Sequence, residues 1–153
     1  MSANGLEVFD KTIHTTNIWL DEIMVELGPD RRHAWKVLSV VLRKMRDRLP
    51  VEAAAHLGAQ LPLIVRGAYY DQFEPAKQPS ECGSFEEFAA EVAEWLADTS
   101  PTDPKEAVRC VFALLSRHVD PGQIAKTRGI LPDTLRRNWE AAESRLDAAG
   151  AER

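Results

Sequence analysis

The sequence has 153 residues, 44% hydrophobic and 28% charged, with 19 Lys and Arg against 24 Asp and Glu for a formal net charge of -5. That composition belongs to a folded chain rather than a disordered tail, and the length suffices for one domain over 1–153 with a buried core. The acidic balance weighs against a dedicated nucleic-acid binder, the short apolar runs exclude a bilayer-crossing helix, and residues 1–7 lack the pattern of a secretory leader. A cytoplasmic location is the expectation, with no membrane association.

Apolar residues at three- and four-residue spacing predict a first long helix over about 9–27, stopped by Gly28-Pro29. Asp30 is placed to cap a second helix running to about Arg48, with Ala34, Val37, Leu38, Val41, Leu42 and Met45 on one face. Pro50 can open a short third helix and Pro62 a fourth that ends near Tyr70, because proline fits the first turn. Residues 71–83 (DQFEPAKQPSECG) have no periodicity and read as a connector. Beyond it, Ser84 can cap a fifth helix. Asp103-Pro104 and Asp120-Pro121 start the sixth and seventh, and Pro132 starts the last, running to about Ala148. No strand is predicted.

The two halves repeat each other. Residues 9–20 (FDKTIHTTNIWL) align with 85–96 (FEEFAAEVAEWL), and 34–42 (AWKVLSVVL) with 107–115 (AVRCVFALL). Leu61-Pro62 with Arg66 matches Leu131-Pro132 with Arg136, in the same order and with the offset slipping only at loops. The expected fold is therefore all-α: a bundle of about eight helices from two tandem four-helix repeats, 9–70 and 85–148. In this alignment Trp19 and Trp95 are equivalent, and both are expected in the core.

The run RDRLPVEAAAHLGAQLPLIVRGAYYDQF, the following SFEEFAAEVAEWL and the closing CVFALLSRHVDPGQIAKTRGILPDTLRRNWE carry a family resemblance. From about Phe9 to Trp139 the chain resembles the bacterial domain-of-unknown-function family 2267. The resemblance implies a helical bacterial domain and assigns no activity or catalytic residue.

The candidate sites compete with structural readings. Segment 120–146 has a helix-turn-helix rhythm, in which Arg128, Thr134, Arg136, Arg137 and Asn138 would meet DNA. Residues 105–137 hold seven basic and three acidic residues, which favours that reading. Arg128, however, stands at a normally apolar position, and the equivalent stretch of the first half offers Leu63, Ile64 and Val65 where a recognition face is polar. Residues 31–48 hold seven basic and one acidic residue, and 71–103 nine acidic and one basic. These opposed patches either attract a charged partner or meet each other within the fold.

Tyr69, Tyr70 and Phe73 either line a groove between the repeats or tie the connector to the bundle. The four histidines, His14, His33, His56 and His118, are scattered and read as surface or boundary residues, so no metal site is expected. Glu87, Glu91 and Glu94 share a helix face without the Glu-x-x-His partners of a di-iron site. Cys110 aligns with core position Val37 and is expected buried, whereas Cys82, in the connector, is expected exposed. There is no P-loop, dinucleotide fingerprint or nucleophile elbow, so neither cofactor nor catalytic residue is assigned. The expectation is a non-enzymatic module that binds or scaffolds a protein partner. Its alternatives are a DNA-binding regulator and a small-ligand binder or enzyme with a pocket between the repeats.

Overall fold

A computed structural model of the chain describes residues 5–151, so residues 1–4, on which the expectation about a secretory leader partly rests, and 152–153 lie outside the described residues. Eight α-helices follow one another: α1 (Glu7–Leu27), α2 (Arg31–Arg46), α3 (Val51–Gly58), α4 (Leu63–Tyr70), α5 (Phe85–Trp95), α6 (Pro104–His118), α7 (Pro121–Ile130) and α8 (Asp133–Ala151). Among the described residues there is no strand. The fold is all-helical.

Local chemistry sets the helix ends. The Asp30 carboxylate accepts from the backbone N–H groups of Arg32 and His33. Ser84 Oγ accepts from Glu87 N, Asp103 from Lys105 N and Asp120 from Gln123 N, satisfying donors that a first turn leaves orphaned. Gly28 ends α1 at φ 109°, a conformation that a side chain would strain. The first helix begins two residues earlier than the periodicity suggested, and α2 ends at Arg46, two residues short of expectation.

The core is built on α2 and α6. Ala34, Val37, Leu38, Val41 and Leu42 of α2 are buried, as are Ala107, Cys110, Val111, Leu114 and Leu115 of α6. The two helices pack against each other, with α1, α4 and α5 around them and α8 along α6. Trp139 of α8 lies flat on Phe112 at 4.5 Å between ring centroids, and its indole N–H donates to Ser116 Oγ over 2.7 Å. A buried indole finds a hydrogen-bond acceptor because leaving its donor unmet is costly.

Three expectations are corrected here. Trp19 is buried, but Trp95 is 44% exposed, because α5 ends at that residue and its ring lies under the cations Arg43 and Lys44 on the surface. Cys82 is buried rather than exposed. The connector folds back on the bundle, where Gln78 Nε2 donates to the carbonyls of Arg46 and Leu49 and the backbone N–H of Ser80 donates to the carbonyl of Asp47. His33 is buried as well, its Nδ1 within 3.0 Å of Thr99 Oγ1, so it is neither a surface nor a boundary residue.

Candidate binding groove

Along α1, Val8, Lys11, Thr15 and Trp19 recur at three- and four-residue spacing and so share one face. That face meets the junction of α3 and α4, and the space between them is an open groove of about 400 Å³. The volume is that of a small-ligand site or of a few anchoring side chains.

Arg66 fixes the junction. Its Nε donates to Gly58 O over 3.0 Å, and its Nη2 to Leu61 O over 2.9 Å and Ala59 O over 3.2 Å. The guanidinium thus caps the carbonyl end of α3 while its charge stays on the groove wall. α4 opens at Pro62, which offers no side chain to cap the helix. The missing acceptor comes from α1, where Thr12 Oγ1 takes the Ile64 N–H over 3.1 Å. The far wall is His118, at the end of α6. Its imidazole stacks on the Trp19 ring at 5.3 Å, and its Nε2 meets the carboxylate of Glu22, which also accepts from Arg117 Nε over 2.9 Å.

The groove wall carries two cations, Lys11 and Arg66, and no carboxylate. Lys11 makes no ion pair among the described residues. Large apolar side chains are exposed around the same place: Leu6, Val8, Phe9 and Ile13 beside the first turns of α1, and Leu63 and Ile64 at the start of α4. Because Thr12 is bonded to Ile64, these two sets are neighbours across the α1–α4 contact. Isolated exposed apolar residues are ordinary, but a gathering of them marks a contact surface.

The residues singled out in the sequence are placed elsewhere. Tyr69 is completely buried, and its hydroxyl donates to Ala54 O over 2.7 Å. Burial pushes its phenol pKa up. Tyr70 packs edge-on against Tyr69 at 5.0 Å and Phe73 against Tyr70 at 5.7 Å, with the Arg46 guanidinium over Phe73. The structure brings the three rings together. None of them lines the groove or the smaller cavity of about 180 Å³ between Arg43, Lys44, Asp71 and Trp95.

Of the five candidate DNA contacts, Arg128 is paired with Glu143, Arg136 with Asp133 at 2.9 Å, and Asn138 donates to the Thr134 carbonyl over 2.8 Å. Thr134 is half-buried, whereas Arg137 is exposed. The opposed charge patches meet within the fold. Arg48 pairs with Glu91 at 2.6 Å, Arg43 with Asp71 at 3.4 Å and Lys36 with Asp98 at 4.0 Å. The described residues hold no group of three or more His, Cys, Asp or Glu side chains suited to a metal ion, and none of their helices is long and apolar enough to cross a membrane.

The sequence reading missed the groove, because each of its residues is ordinary on its own helix. Leu63 and Ile64 gave the one available signal, as an apolar pair beside a helix start.

An all-helical chain with an open, cation-walled groove at the α1–α4 end is the class of protein that this fold and site define. Residues 16–137 match the DUF2267 family, described as an uncharacterized conserved protein, and the chain belongs to that family. No curated protein matches the chain.

Proposed function

We propose that the protein is a non-enzymatic module that binds a protein partner through the α1–α4 end. The observation that carries this reading is the gathering of exposed apolar side chains, Val8, Phe9, Ile13, Leu63 and Ile64, around a groove already formed in the chain. Such surfaces are retained where a partner covers them. The tandem repeat 9–70 and 85–148 is part of the proposal, supported by the sequence alignment and by the buried matching faces of α2 and α6. A cytoplasmic site of action fits two cysteines that remain free thiols.

The DNA-binding alternative draws less support, since Arg128, Arg136 and Asn138 are engaged within the chain. The test is capture on the full-length chain and on its Leu63→Asp variant, with nucleic acid intact or digested. The reading requires a partner that survives digestion and is lost on Leu63→Asp. Loss on digestion alone would favour the nucleic-acid reading instead.

A further inference from the structure

We infer that the groove takes the acidic, apolar edge of a partner's amphipathic helix, with a partner carboxylate held at Lys11; this rests on the protein-binding reading above. Three observations converge on that occupant.

The first is charge. In a chain of net charge -5, the groove wall presents Lys11 and Arg66 and no carboxylate. Glu22, beside the wall residue His118, is already shared between Arg117 and His118. Arg66 is tied to backbone carbonyls, so Lys11, which is exposed and free of ion pairs among the described residues, is the cation left to answer an incoming anion. An acidic partner gains an attraction that a basic one lacks, and like charges would be penalised.

The second is backbone chemistry. The described residues contain no strand, so no sheet edge exists for an extended peptide to join. A partner entering an apolar groove must therefore satisfy its own N–H and C=O groups, which a helix does internally.

The third is dimension. From Val8 to Trp19 the groove follows α1 over eleven residue steps, about 16 Å at 1.5 Å per step. A helix laid along that length meets it with side chains at i, i+3 or i+4, and i+7. Val8 and Leu63, both exposed, supply the apolar contacts, and Lys11 lines the same groove.

The probe is a set of fluorescein-labelled 18-residue peptides read by anisotropy: an amphipathic Leu/Glu helix, a Leu/Lys helix of the same pattern, and a scrambled Leu/Glu sequence. Each is titrated with the full-length chain and with its Lys11→Glu, Leu63→Asp and Val25→Asp variants, whose folding is checked by circular dichroism. The wild-type chain is expected to bind the acidic helix at least tenfold more tightly than the other two peptides. Lys11→Glu should reverse the preference between acidic and basic helices, Leu63→Asp should weaken binding tenfold or more, and Val25→Asp, exposed near the other end of α1 and outside the groove, should change nothing.

Equal or tighter binding of the basic helix, or an acidic helix indifferent to Lys11→Glu, overturns the charge assignment; sensitivity to Leu63→Asp would then leave the docking reading standing. Peptide binding that is absent, or insensitive to Leu63→Asp, overturns both. Sedimentation equilibrium of the peptide-free chain supplies the remaining arm. Self-association abolished by Leu63→Asp would assign the face to a second copy and overturn the acidic-helix proposal.

Discussion

The Tyr69 hydroxyl donates a hydrogen bond to the main-chain carbonyl of Ala54 over 2.7 Å, and neither residue has any exposure to solvent. This bond joins α4 to α3. Tyr69→Phe keeps the ring and removes only the donor, so it should cost about 1 kcal/mol of stability, read as a lower urea midpoint.

Burial raises both the Tyr69 phenol and the Cys110 thiol above their ordinary values. In the folded chain both keep their protons at alkaline pH, where the unfolded chain sheds them. Their contribution to stability is therefore complete below the ordinary thiol and phenol values, about 8.5 and 10, and is lost as the pH rises past them. Urea midpoints should fall between pH 8 and pH 11, and the fall should be shallower in Tyr69→Phe. An identical slope in both proteins would contradict the assignment.

Gly58 is the last residue of α3 and lies against the Tyr70 ring, where a Cβ would collide with the ring. Gly58→Ala alone gains about 1 kcal/mol of helix propensity but is expected to lose more, because overpacking costs about 1–3 kcal/mol. In a Tyr70→Ala background the same substitution should be stabilising by about 1 kcal/mol. The double-mutant cycle reads the difference directly.

Arg46 is 4% exposed and donates to the carbonyls of Tyr69 and Asp71 over 2.7 and 2.8 Å, while Asp47 balances its charge at 2.8 Å. Arg46→Lys supplies one ammonium where a planar fork is used, and should cost roughly 2 kcal/mol. Hydrogen exchange should locate the loosening in the connector after Tyr70.

Cys82 and Cys110 are buried, and burial raises both thiols, although Arg48 beside Cys82 opposes the shift there. Alkylation of the native chain by iodoacetamide at pH 8 should be far slower than that of a free thiol, with Cys82 labelled before Cys110. Mass spectrometry at timed quenches gives the order.

What the sequence disclosed follows from how far each determinant acts. The caps at Asp30, Ser84, Asp103 and Asp120 bond two or three residues away, so residue type and position sufficed to place the helix starts. The faces of α2 and α6 obey a 3.6-residue period and were equally legible. Cys82 was misplaced because its burial depends on Gln78 reaching Arg46 and Leu49, some thirty residues away in a segment with no periodicity. Trp95 was misplaced because alignment with Trp19 carries no information on where α5 ends or on the cations that cover its ring. The groove was invisible for a related reason. Lys11 and Leu63 become neighbours only through the Thr12–Ile64 hydrogen bond between helices.

The proposal that the α1–α4 end is the protein-binding face is tested most directly by recording ¹H–¹⁵N correlation spectra of the full-length chain while the acidic amphipathic helix is added. The account predicts shift changes along residues 8–19 and 59–66 and at His118, with residues 128–138 left unmoved. Changes centred on 128–138, or none in the groove at a saturating peptide concentration, would contradict it.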